Sequence, residues 1–179
     1  MLRPHPHSVC EDDSLPAQTL RALQRHSFDY FVHEINRDNG LVLDKTAPDW
    51  PASIAAMGMA LTAYAVGVER QFMARADAAA RAVTMLRFLA ASEQSERPDA
   101  TGYKGFYYHF LDMKSGERAG DSEISTVDTA LLIAGALFVQ SYFDRPHPEE
   151  AEIRRLVDEI YRRVDWRWAQ PNAPAISHG

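Results

Sequence analysis

Residues 53–68 read SIAAMGMALTAYAVGV, about four turns with no charged side chain. A helix apolar on every side is normally enclosed by other helices, so this window predicts an inner helix. A second run of the same kind, LLIAGALFV at 131–139, predicts another. The segments around them differ. Residues 73–94 mix Arg75, Asp77, Arg81 and Arg87 with Val83, Leu86 and Leu89, which describes a helix with one wet face. Ser14 and Pro16 suit the start of an earlier helix, whose stripe is Leu20, Leu23, Phe28, Phe31 and Ile35 and which ends at the Asn39-Gly40 turn. The last helix begins near Pro148 with Glu149 and Glu150 in its first turn and carries Ile153, Leu156, Val157, Ile160, Tyr161 and Val164.

The order is therefore amphipathic, apolar, amphipathic, apolar, amphipathic. Connections leaving the apolar helices are short, around Arg70-Gln71 and residues 144–147. Those entering them are long, residues 37–50 and 95–121. Two layers of helices, apolar inside and amphipathic outside, give this alternation. The expected fold is all-α, with about five helices. The long loops then gather at the N-terminal ends of the inner helices, on the face where sites are usually built. Within the second loop, FYYHFLD followed by MKSGE predicts a short β-hairpin near residues 105–120.

With 179 residues, 46% of them hydrophobic, the chain is long enough for one domain with a real core. Residues 1–14 are rich in proline and charge without periodicity and are expected to form a flexible tail, leaving 15–179 as the domain. A net charge of −6 without a basic patch argues against a nucleic-acid partner. No apolar run approaches the roughly 18 to 20 residues of a membrane span, and the N-terminus lacks the apolar core of a signal peptide. Cys10 is the sole cysteine, so neither an intrachain disulfide nor a thiolate cluster is available.

The stretch DSEISTVDTALL, 121–132, leads into the second apolar helix with three carboxylates. Asp121 and Glu123 fall at or before the first turn, where the helix dipole stabilises an acid by roughly 0.3 to 1 kcal/mol and capping alone explains them. Asp128 is placed inside the helix, where an unpaired carboxylate is costly; its structural explanation is an arginine from a neighbouring helix. The alternative is a cleft: paired carboxylates are the usual acid and base of glycoside cleavage. On this reading Glu123, Asp121 and Asp128 are the catalytic candidates. Aromatic residues, whose flat rings suit sugar faces, collect on the same side. Trp50, Tyr103, Tyr107 and Trp166, together with His109, are the candidate substrate-binding residues, although alternate residues of FYYHF must point inward. No other His, Cys or acid stands at ligand spacing to His109, so neither a metal site nor a cofactor is indicated.

These residues carry a resemblance. The strings LQRHSFDYF, NGLVLDK, SIAAMGMALTAYAVGVER, TMLRFL, GYKGFYYHFLDMKSGERAGDSEISTVDTALLIAGALF, IYRRVDWRWAQ and ISHG occur in this order over about residues 18–179. Together they resemble the bacterial glucoamylase-like (Glycoamylase) domain, that of glycoside hydrolase family 144 endo-β-1,2-glucanases. A related version lies near the C-terminal end of cyclic β-1,2-glucan synthases. The resemblance implies an (α/α)6 toroid with an acidic, aromatic-lined cleft that cuts β-1,2-linked glucose polymers. It sets Glu123 as the matching candidate acid, with Asp121 and Asp128 beside it. Members are commonly exported, which leaves the location of this chain open.

Length is the departure, because a twelve-helix toroid needs on the order of twice this chain. The expectation is an N-terminal half of the domain, truncated at the C-terminus and inactive alone. The apolar flanks of its inner helices would then favour self-association or a complementing C-terminal half. Two other classes compete with the hydrolase: a module that binds glucan without cutting it, and a helical interaction protein in which the apolar helices are only core. Transglycosylation also remains open, since hydrolysis and transfer differ only in whether water or sugar reaches the intermediate.

Overall fold

The computed structural model describes residues 15–171 and 175–177. The expected tail at 1–14, the Ser14 cap and Cys10 lie outside the described residues. Among the described residues five α-helices form: α1 Leu15–His33, α2 Ile54–Glu69, α3 Arg75–Ala91, α4 Thr126–Tyr142 and α5 Pro148–Arg163. The two charge-poor helices, α2 and α4, pack along each other, while α3 and α5 pack on one another and on that pair. α1 packs on α2 as well. The inner and outer layers predicted from composition are thus present, and one continuous core joins them.

Two glycines set the inner contact. A Cβ on Gly58 would lie 2.4 Å from the Leu131 carbonyl oxygen, and one on Gly135 would lie 2.1 Å from that of Gly58. Real Cβ atoms do not approach so closely, so α2 and α4 meet backbone to backbone because neither residue carries one. In the outer layer, α3 is tied to α5 by charge. Arg75 donates to Glu150 at 2.8 and 2.9 Å, and Arg87 donates to Glu152 at 2.7 Å through both nitrogens.

The stripe on α5 is buried at Ile153, Leu156, Val157 and Ile160, whereas Tyr161 lies exposed. The stripe expected on α1 is only half used. Phe28 is buried and Phe31 packs on the core, but Leu20 and Leu23 are exposed, because nothing among the described residues covers the first turns of α1.

Short strands fasten the loop face. β1 (Ala52–Ser53) pairs antiparallel with β4 (Phe110–Leu111). β3 (Phe106–Tyr108) pairs with both β2 (Gly102–Tyr103) and β5 (Ile124–Ser125). Both inner helices therefore start directly from a strand, and a serine ends each strand. The Ser53 hydroxyl accepts from the Ala56 N–H, and the Ser125 hydroxyl from the Asp128 N–H. The hairpin expected near 105–120 is present in part, with Ala119 N–H donating to the Phe110 carbonyl and Asp112 N–H to that of Glu117. A tighter hairpin precedes it. Lys104 (φ 52°) and Gly105 (φ 85°) connect β2 to β3 in the left-handed pair of conformations that a two-residue turn requires.

Candidate active site

His109 sits at a changeover. The residue before it, Tyr108, belongs to the ribbon that feeds α4, and the residue after it, Phe110, to the ribbon that feeds α2. Its backbone serves both. The His109 N–H donates to the Glu123 carbonyl at 2.9 Å, and its carbonyl accepts from the Ile54 N–H at 3.3 Å. A single residue thus fixes the N-terminal ends of both inner helices relative to the DSEIST segment.

Its side chain repeats the pattern. Nδ1 lies 3.1 Å from Glu123 Oε1, and Nε2 lies 3.6 Å from Asp128 Oδ2. The imidazole stacks on the Phe110 ring with centroids 3.9 Å apart. Glu123 is about half exposed, His109 a third, and Asp128 only 15%. A graded set results: one carboxylate open to solvent, one nearly enclosed, and an imidazole between them. The segment that delivers Glu123 is clamped, with Arg118 Nε donating to the Ser122 carbonyl and the Ser122 hydroxyl to the Phe110 carbonyl.

These positions correct the sequence reading of Asp128. The helix starts at Thr126, so Asp128 stands in the first turn rather than inside, and the partner that faces it is His109 rather than an arginine. Its own N–H is capped by Ser125, so Asp128 sits where the helix dipole favours an acid. Glu123 precedes β5 in extended chain, and Asp121 stands in the exposed turn before it.

The aromatic candidates divide. Tyr107 is corrected outright as a substrate contact: it is fully buried, its hydroxyl donates to the Leu89 carbonyl, and Arg163 donates to that hydroxyl. Burial pushes its phenol pKa up, opposed by the Arg163 charge beside it. Inward and outward residues do not alternate in β3, since Phe106 and Tyr107 are both buried. Tyr103 donates to Glu96 and meets Trp168 edge-on, and Trp166 meets Phe106 edge-on. Trp50 remains accessible, with its indole N–H on Asp44 and the Lys45 ammonium 3.5 Å over its ring. Trp168 is the aromatic that the candidate list omitted. It is 41% exposed and, with Ile124, Thr126 and Ala169, lines a pocket of ≈ 270 Å³ beside the strand that follows Glu123.

On the inner helices, away from the loop face, lies an open groove of ≈ 720 Å³ lined by Phe28, Met59, Val66, Leu131 and Phe138 among others. Met59, Val66, Leu131 and Phe138 are between 43 and 52% exposed. No described helix is long and apolar enough to cross a membrane.

Comparison with solved structures aligns 89% of this chain, at 25% identity and a TM-score of 0.78, with a Bacteroides uniformis protein provisionally named a glucoamylase. The fold is that of a glucoamylase-like domain. The same glucoamylase-like architecture recurs in a β-1,2-glucanase from Parabacteroides distasonis (24% identity over 89% of this chain, TM-score 0.77). It recurs again in an endo-β-1,2-glucanase from Chitinophaga pinensis, solved with sophorotriose and glucose (19% over 91%, TM-score 0.77). At these identities the last two likenesses speak for fold alone. Among curated proteins, 84% of the chain matches an exo β-1,2-glucooligosaccharide sophorohydrolase of Parabacteroides distasonis at 26% identity over 158 residues. No family model matches the chain. The chain spans 39%, 23% and 40% of the three solved structures and 21% of the curated relative. The structure is thus a partial α/α toroid, two inner helices and three outer.

Proposed function

We propose that this chain forms part of a glycoside hydrolase that cleaves a β-glucan, β-1,2-linked glucan first among them, with Glu123 as the acid/base residue. One observation carries the reading: a half-exposed glutamate is held against a histidine, beside a nearly enclosed aspartate, on the loop face of a glucoamylase-like fold. Similarity to a sophorohydrolase supports the linkage. In the reaction, the Glu123 carboxylic acid gives its proton to the glycosidic oxygen and the C1–O bond breaks. Water then adds to C1 and yields its proton to a carboxylate. Trp50, Tyr103 and Trp168 offer accessible ring surface for neighbouring glucose units, Asp121 adds to the acidic lining, and Asp128 stands behind it.

The apolar groove is the seat of further helices of the same domain. Its exposed residues lie on the two inner helices and, at Leu23, on α1, and relatives of this fold are more than twice as long. The five helices alone are then expected to be inactive. The test uses the protein at its full natural length, incubated with linear β-1,2-, β-1,3- and β-1,4-glucans while new reducing ends are counted. Release from the β-1,2-glucan alone is expected. Saturable binding without release would reassign the protein as a glucan-binding module, and release only from another linkage would overturn the substrate.

A further inference from the structure

We infer that His109 is a positioning residue that couples Glu123 to Asp128, so that Asp128 acts on the reaction through the imidazole rather than by touching sugar. The inference rests on the hydrolase reading and deepens it. Both ring nitrogens face carboxylates, Nδ1 at 3.1 Å from Glu123 and Nε2 at 3.6 Å from Asp128. Nδ1 is therefore closed to a glucose hydroxyl unless Glu123 gives way, while Nε2 faces Asp128 at ion-pair distance, longer than a hydrogen bond. The ring plane is fixed by the parallel Phe110 ring, 17° from coplanar, and the backbone by bonds to Glu123 and Ile54. Exposure runs in the same order as the proposed roles: Glu123 is open to a substrate, His109 less so, and Asp128 is the least accessible of the three. Asp128 is itself anchored by the helix start, with its N–H on the Ser125 hydroxyl. The chain of contacts therefore runs from a helix N-terminus, through an aromatic-backed imidazole, to Glu123, the more exposed of the two carboxylates that the imidazole faces. A carboxylate that must deliver a proton along a defined line gains rate from being held in one orientation, and a misplacement of about 1 Å costs up to roughly a hundredfold.

Two measurements test this. In the full-length protein acting on β-1,2-glucan, His109→Ala is expected to lower kcat roughly 10- to 100-fold with KM changed less than about threefold. His109→Asn, whose amide nitrogen reaches about where Nδ1 does, is expected to recover part of the loss, and His109→Gln less. A wild-type kcat in His109→Ala overturns the inference, as does a rise in KM with kcat unchanged, which would make His109 a sugar contact. Independently of activity, the ring-nitrogen NMR resonances of His109 in the present chain are expected to move on Glu123→Gln and on Asp128→Asn alike. Resonances indifferent to either substitution would show that arm of the bridge to be absent and overturn the coupling. If Glu123→Gln leaves the full-length enzyme active, the acid/base role of Glu123 falls, while the resonances still decide whether the bridge exists. If Glu123→Gln is inactive and His109→Ala is not, only the positioning role falls.

Discussion

A carboxylate costs little at one end of a helix and much in its middle, and Asp128 turns on that difference. From the sequence the acid was legible, but its place was not, because the helix start depends on β5 pairing with a strand near residue 107. With the start at Thr126, Ser125 is the cap, and Ser125→Ala is expected to cost about 1 kcal/mol in urea unfolding. Glu150 gives the residue scale a pH dependence. Its hydrogen bonds from Arg75 hold its carboxyl below the ordinary 4.5, with the Arg145 N–H assisting and burial opposing. A depressed folded pKa means that the stabilisation is complete above the unfolded value and is lost as pH falls through the folded one. Acid unfolding below about pH 4.5 should therefore be steeper in the native chain than in Glu150→Gln. That variant leaves Arg75, only 16% exposed, with Asp144 at 3.5 Å as its remaining carboxylate, and is expected to lose about 3 kcal/mol at neutral pH.

Among elements, α2 and α4 were the most legible, since a window without charge has few stable places outside a helical interior. Their mutual approach was not, because a glycine in a helical pattern does not announce which neighbour it admits. Gly58→Ala and Gly135→Ala each force a methyl into a carbonyl oxygen across the contact. Each is expected to destabilise by about 2 to 3 kcal/mol, read as a lowered thermal midpoint, whereas the exposed Ala130→Gly should cost no more than about 1 kcal/mol. The loop of 92–125 was legible only as a hairpin. Its division at His109 between two ribbons joins residues dozens of positions apart, Ile54 and Glu123, and no local pattern encodes such pairing. Tyr107 was misread for the same reason: the Arg163 and Leu89 partners that bury it lie on α5 and α3.

For the whole molecule, the inner layer predicted from loop lengths is present, and so is its uncovered flank. The groove beside Met59, Val66, Leu131 and Phe138 gathers exposed apolar side chains along one flank, which is the kind of surface that partners cover. The present chain alone is expected to sediment as concentration-dependent oligomers, and the double substitution Met59→Glu with Phe138→Glu to shift it to monomer without unfolding. Should the native chain sediment as a monomer at all concentrations, the groove is not a covered face. The central claim, that the DSEIST carboxylates belong to a glucan cleft, is tested most directly at Glu123. Reducing ends released from β-1,2-glucan by the full-length protein are to be compared with those from Glu123→Gln, alongside the thermal midpoint of each. The account predicts a loss of roughly 10²- to 10⁴-fold with the midpoint unchanged or raised. Activity within a few-fold of the native protein would contradict it and leave Glu123 as a neighbour of the helix start with no part in the chemistry.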